Sequence, residues 1–430
     1  MENLKKLLQE SKDINAIIDA NLFSQHNMTY PLINYCEDID IIDFLTHKIE
    51  FENFNFEIDN EKIKYSPRFL HYHEIILFDF LQKVNGEDNF TFNDIKTNEE
   101  YINFNYLDKD YLEEKLPKLT NGIFDIKSDD EKKNKLKIGI VSIKVDLQNV
   151  EKSYLKSPNL SYDRLQKIFD ILNLSIKDKN QKPDLLIFPE VSIPYAWIHL
   201  MARFAKKNDI GLIFGVEHIN IKNKVSNYTC VMLPFKIDTH ISLFVNFDLK
   251  RHYAPAEILD IEGNRHLKIN SSCSDKPPQL YNWRNTIFST LNCYELTNIN
   301  LRAKLVGKID FLVAIEYNKD INHFSNIIES ASRDIHCYMI QVNTSDYGDS
   351  RITQPTKTEI KDIAKIKGGQ NVYLVIDEID IKKLRKFQSH TIVGQDRLRN
   401  KKKCTLKHTP PNFNMSNERE SILSAKEKED

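Results

Sequence analysis

Glycine and proline are scarce in this chain, with 11 and 14 residues among 430. Average usage is about 7% and 5%. The glycines are also uneven: Gly86 and Gly122 are the only two before Gly139, and the other nine run from there to Gly394. Tight turns and close backbone approaches need glycine, so the chain changes character near residue 135. Cysteine is sparse too. The six, at 36, 230, 273, 293, 337 and 404, show no paired spacing and no C-x-x-C. That excludes a disulfide framework and a cysteine zinc site, and it fits a reduced cytoplasm. Charge of one sign is missing: 60 basic residues face 62 acidic ones, a net charge of −2. There is no global basic field for nucleic acid. No apolar run approaches the roughly 18 residues that would cross a membrane. The N-terminus opens into a polar helical pattern without a signal-peptide core. The expectation is a cytoplasmic protein with no membrane partner.

What is present is enough apolar material for a substantial core: 41% hydrophobic residues against 28% charged. Residues 1–130 have a mainly helical pattern. An apolar helix spans 69–84 and stops at Asn85-Gly86; a second candidate lies at 41–49. His71, His73 and Glu74 invite a metal reading. However, i and i+2 point to different sides of a helix, so they are expected to be ordinary helix-surface residues. This N-terminal part carries no catalytic constellation. Its aromatic-rich faces suit packing on the second domain or on a protein partner. A charged linker at 128–137 follows.

From 136 onward strands and helices alternate. Strands are expected at 136–145, 185–188, 210–216, 227–233, 241–248, 287–291, 311–315, 337–342 and 371–376. Helices are expected at 161–175, 198–205, 326–335 and 379–387. The class is therefore α/β, with sheets covered by helices. Residues 396–430 are charged and poor in apolar residues, which predicts a flexible tail.

Three features carrying chemistry occur in order. Phe188-Pro189-Glu190 ends an apolar strand. The run from Lys250 through His252 to Pro255 follows a second strand. Asn292-Cys293-Tyr294-Glu295 ends a third, with a helix expected to begin near 298. Cys293 thus sits on a sharp strand-to-helix turn, where unpaired N–H groups favour a thiolate. Glu190 is suited to take the thiol proton and later activate water. Cys293 is suited to attack an electrophilic carbon. Lys250 and the Tyr294 backbone N–H are the candidate oxyanion donors. His252 is expected to orient groups near the site. Cys230 and Cys337 fall in strand patterns and should be core.

In this order the residues resemble the carbon–nitrogen hydrolase (nitrilase) superfamily, over about 136–390. That family uses a Glu-Lys-Cys triad whose signatures match Phe188-Pro189-Glu190, Lys250-x-His252-x-x-Pro255 and Cys293-Tyr294-Glu295. Asn227-Tyr228-Thr229 is a weaker echo of a family segment in altered order. The resemblance implies a nitrilase-type α-β-β-α sandwich over 136–395, after the helical N-terminal region. It implies homo-oligomers, no cofactor, and hydrolysis of a small-molecule amide in preference to a nitrile through a Cys293 thioester. A second reading makes the domain an assembly or sensing module acting with a partner protein or nucleic acid in bacterial stress or antiphage defence. Three departures concern the pocket. The second glutamate, Glu257, comes seven residues after the lysine where many members have eight. An insert fills 258–281. The segment Ala314-Ile315-Glu316-Tyr317-Asn318 replaces a proline-rich one.

Overall fold

A computed structural model describes residues 56–58, 61–63, 72–86, 115–127, 133–237, 240–369, 373–400 and 404–421. The candidate helix at 41–49, Cys36 and His71 lie outside them. The first elements are a small hairpin, β1 (Phe56–Ile58) with β2 (Glu61–Ile63), and the helix α1 (Tyr72–Gly86). Then come β3 (Lys118–Thr120), β4 (Ile123–Ile126) and β5 (Lys135–Ser142). Helices α2 (Leu147–Tyr154) and α3 (Tyr162–Lys177) lead to β6 (Leu185–Ile187), α4 (Ile198–Asn208) and β7 (Gly211–Ile221). The long strands β8 (Lys224–Ile237) and β9 (His240–Leu249) follow as antiparallel neighbours.

One turn of helix, α5 (Pro255–Ile258), precedes β10 (Lys268–Asn270), β11 (Leu280–Trp283) and β12 (Thr286–Asn292). The chain continues through α6 (Ile299–Ala303), β13 (Phe311–Glu316), α7 (Ile321–Ala331) and β14 (Tyr338–Asn343). It closes with β15 (Ser350–Thr353), β16 (Asp362–Ile366), β17 (Tyr373–Asp380), α8 (Ile381–Gln388), α9 (Ile392–Asn400) and α10 (Asn417–Glu420).

The strands form two large sheets. In the first, the order is β10-β8-β7-β6-β5-β17, with β9 also on β8; in the second it is β16-β15-β14-β13-β12-β11-β4-β3. Alternation along β13 shows how they face each other. Phe311, Val313 and Ile315 join the large core with residues of the first sheet, while Leu312 and Ala314 join Phe324, Ile327 and Ile328 of α7. Successive side chains of a strand point to opposite faces, so the second sheet lies between the first sheet and a helical layer. On the far side of the first sheet, α1 and α4 cover β9, and Phe80 stacks on Phe247 at 3.9 Å. The architecture is an α-β-β-α sandwich. No helix among the described residues is long and apolar enough to cross a membrane.

Three expectations need correction. The first 130 residues, expected to be mainly helical, also hold strands: β3 and β4 extend the second sheet, with β4 running parallel to β11. They are too short for a periodicity of two to declare itself in the sequence. His73 and Glu74 are buried rather than on a helix surface, because α1 is a packed layer of the sandwich. Residues 404–421 are not a loose tail. Leu406 bridges to Thr356, and the Arg419 side chain is fully buried against Asp310. Polar anchoring replaces the apolar burial whose lack suggested disorder. Only 401–403 and 422–430 of that segment lie outside the described residues.

Candidate active site

Glu190 follows β6 on a turn that runs against the middle of β7 at Gly215. The backbone there is tight: Gly215 N–H donates to the Pro189 carbonyl, and Ser192 N–H donates to the Gly215 carbonyl. A Cβ on Gly215 would lie 2.3 Å from the Val191 nitrogen and 2.5 Å from the Glu190 Cα. Gly215→Ala therefore has to displace the turn that carries Glu190. The expected result is a loss of about 1–3 kcal/mol in urea unfolding. Val191, the next residue, has φ of 45°, and Cys293 has φ of 47°. A β-branched residue rarely adopts that region, and such outliers cluster at functional sites.

The Glu190 carboxylate is buried and accepts three hydrogen bonds. Lys250 Nζ donates to Oε1 at 2.7 Å, Asn227 Nδ2 to Oε1 at 2.8 Å, and the Tyr317 backbone N–H to Oε2 at 3.0 Å. Lys250 directly follows β9 with its side chain buried, and it also donates to Glu257 Oε2 at 2.7 Å. Burial works against the ammonium, but Glu190 and Glu257 outweigh it and push its pKa well up. Glu257 is brought back to Lys250 by the α5 turn, where it also accepts from the Ala254 N–H at 2.9 Å. Burial opposes its charge as well, yet Lys250 and then His218 hold its carboxyl down to about 2. The seven-residue spacing thus reaches the lysine through a capped turn.

Cys293 enters a short 3₁₀ turn, Cys293–Thr297, at the end of β12. The turn is clamped by Glu295. Its carboxylate accepts from the Asn292 N–H at 3.0 Å and from the Arg251 N–H at 2.5 Å, and Arg251 also pairs with it through Nη1. The residue after Lys250 is thereby tied to the residue before Cys293. Asn227 makes a second tie, since it accepts from Asn292 Nδ2 at 3.1 Å while donating to Glu190. It is the residue that sequence reasoning underweighted. The 227–229 segment was visible, but nothing in it announced a bridge between two sheets.

The expected thiolate is not what this environment favours. No long helix starts at Cys293. The thiol is buried, and burial pushes its pKa well above the ordinary thiol value. Glu190, Glu316 and Glu257 push the same way, with Lys250 opposing. This setting favours the thiol over the thiolate.

Among the other predicted residues, His252 bonds at 3.0 Å to Asn298, the N-cap of α6. It stands outside the Glu190–Lys250–Glu257 network. Tyr294 is half-buried on the 3₁₀ turn. Cys230 and Cys337 are buried and Cys273 is exposed. Sequence reasoning did not single out His218, whose Nε2 lies 3.8 Å from Glu257 Oε1 and whose ring packs on Tyr154.

No family model and no curated protein matches the chain. Among solved structures it is similar to a CN-hydrolase superfamily protein from Xanthomonas campestris with an arsenic adduct in its active site. The identity is 12%, over 63% of this chain and 95% of that one, with a TM-score of 0.40. It is also similar to an amidase from Nesterenkonia sp., at 11% identity over 62% and 97% of the two chains and a TM-score of 0.42. A mutant of that amidase shows covalent addition of the acetamide moiety of fluoroacetamide at its active-site cysteine; it is 12% identical over 57% and 91%, with a TM-score of 0.42. The functional reading rests on the residues of the site.

Proposed function

We propose that this protein is a carbon–nitrogen hydrolase that cleaves a non-peptide amide through a thioester on Cys293. The observation that carries the reading is a buried Glu190–Lys250 pair and a buried thiol, set at the ends of strands from two facing sheets and held there by strained or clamped turns. Burial of a carboxylate and an ammonium stabilises a fold poorly, so the arrangement is better accounted for by chemistry.

Glu190 takes the Sγ proton as Cys293 attacks the amide carbon. The developing oxyanion is met by Lys250, which has three N–H donors and spends two on Glu190 and Glu257. The Tyr294 N–H is the second donor. The proton on Glu190 then goes to the nitrogen, the C–N bond breaks, and the amine or ammonia leaves a thioester. Water gives a proton to Glu190 and attacks the thioester carbon. The carboxylic acid leaves and the released Cys293 thiolate takes the proton back from Glu190. Glu257 keeps Lys250 charged throughout. No step calls for a metal or an organic cofactor.

Labelling by iodoacetamide tests the reading. Exposure alone ranks Cys273 ahead of Cys293. A base-assisted nucleophile reverses that order, because Glu190 takes the proton as the thiol attacks. Peptide mass mapping should find Cys293 modified first. Modification in order of exposure would overturn the proposal.

A further inference from the structure

Beside Cys293 stands a carboxyl group that the reaction above does not use. Glu316 is the last residue of β13. Asn292 of β12 pairs with Ile315, so Glu316 comes level with Cys293 across the sheet, and the following N–H, of Tyr317, holds Glu190. The Glu316 side chain is fully buried. Gln341 Nε2 donates to its Oε2 at 2.9 Å. Among the described residues Oε1 receives no hydrogen bond, and neither does Gln341 Oε1. The Asn318 amide bears on the carboxyl, but its Nδ2 closes no hydrogen bond.

Buried carboxylates are ordinarily paired with cations or saturated with N–H donors. Among the described residues, three buried cations of this region are committed elsewhere. Lys250 is shared by Glu190 and Glu257, Arg251 by Asp248 and Glu295, and Arg351 by Asp349 and Asp362. Burial, with Glu190 and Asp349 adding to it, pushes the Glu316 carboxyl up to about 8. The Glu316 charge also reaches Cys293, alongside those of Glu190 and Glu257. The nucleophile therefore faces three carboxyl groups and one lysine. Two hydrogen-bonded side chains in this setting each bury an acceptor that no donor meets. A ligand bearing N–H donors and a positive charge would complete both acceptors and offset the excess of carboxyl groups.

We propose that Glu316, supported by Gln341, is a specificity-determining residue that recognises a cationic nitrogen, an ammonium or guanidinium, carried by the amide substrate. The proposal rests on the hydrolase reading and names the substrate class of that site. Ligand binding would draw a proton off Glu316, so selection for the cation strengthens as pH rises through the value of about 8. The groups that act on Glu316 are the Gln341 amide of β14, the Asn318 amide just past β13, Glu190 from the β6 turn and Asp349 before β15, and Glu316 in turn acts on Cys293.

The test compares two chloroacetamides of equal length, one ending in a guanidinium and the other in a propyl group. Each alkylates Cys293 with loss of chloride, the thiol proton passing to Glu190. The guanidinium stays charged at all working pH. Taking the ratio of the two rates cancels the titration of Cys293 itself. The guanidinium reagent should react about tenfold faster, as a contact of about 1.4 kcal/mol gives, and the ratio should grow as pH rises through about 8. Glu316→Gln should bring the ratio close to one; any effect of the lost carboxyl on the Cys293 thiol moves both rates alike and cancels in that ratio. Glu316→Asp should keep part of the preference. A purely structural role would move both rates together in both variants. Equal rates in the wild type, or a ratio that survives Glu316→Gln, would overturn the recognition proposal and leave the hydrolase reading standing. Failure of the propyl reagent to modify Cys293 at all would overturn both.

Discussion

Glu190→Gln lowers the rate of Cys293 acylation by about three orders of magnitude, within the range that general-base removal gives. The reason lies in the state of the thiol. Cys293 is buried, and its pKa is pushed well above the ordinary thiol value by burial first and by Glu190 next. At neutral pH the thiolate fraction is very small, so attack depends on transferring the proton to a neighbouring carboxylate during the reaction. Glutamine keeps the volume but cannot accept that proton. It also removes one of the charges that raise the thiol pKa, which offsets a little of the loss. Burial remains, so the variant should recover with alkali. Its alkylation rate rises about tenfold per pH unit, as the thiolate fraction does below the thiol pKa, while the wild-type rate changes far less. Single-turnover labelling across a pH series, read by intact mass, checks this. A variant that alkylates at the wild-type rate at neutral pH would show that Glu190 is not the base. Intact mass also separates the two half-reactions. The variant that acylates slowly should deacylate slowly too, because the same carboxylate activates water, and a thioester adduct should accumulate.

The order of Glu190, Lys250 and Cys293 was legible because each residue sits where a strand ends, and strand ends can be read from apolar runs. What the sequence could not carry is the third dimension. Asn227 links Glu190 to Asn292 across 37 and 65 residues of chain, and no local pattern marks it. Glu295 was visible as part of a motif, but its clamp on the Arg251 backbone was not. Glu316 looked like the polar end of a strand. Its burial depends on α7 covering that face and on Gln341 lying on the neighbouring strand. The thiolate expectation failed for a related reason. A helix start was inferred from residues 298–306, whereas the field at Cys293 is set by carboxylates that arrive from β6, α5 and β13. The misreading of the C-terminal segment has the same origin. Low hydropathy says that a segment lacks an apolar core of its own, yet it says nothing about a charged residue meeting a partner 109 positions away.

That distant contact carries the largest stability effect expected in the molecule. Asp310 lies between β12 and β13, buried, and accepts from the Ile287 N–H at 2.7 Å. Arg385 of α8 donates to both of its oxygens, and Arg419 of α10 donates to Oδ1 through Nε at 3.0 Å and Nη2 at 2.8 Å. Burial opposes the Asp310 charge, but Arg385 and then Arg419 outweigh it and hold the carboxyl below its ordinary range. Asp310→Asn leaves two buried guanidinium groups against a neutral amide, which should lower stability by about 3–5 kcal/mol. Arg419→Ala should do less harm, since Asp310 keeps Arg385. Its effect should be local: Arg419 Nη1 also donates to the Gly307 carbonyl, and that glycine has φ of 73° with the Asn414 carbonyl packed where a Cβ would stand. Loss of the guanidinium should free residues 404–421 to early proteolysis while the sandwich stays folded. The pH dependence follows from the sign of the shift. A carboxyl held below its unfolded value, about 4, stabilises the fold above that value, and the contribution is lost as pH falls through the folded value. The stability gap between wild type and Asp310→Asn should therefore be full at neutral pH and should narrow in acid. Urea unfolding of the two proteins at several pH values measures it. A gap that does not change with pH would mean that the Asp310 charge is not what holds the two arginines.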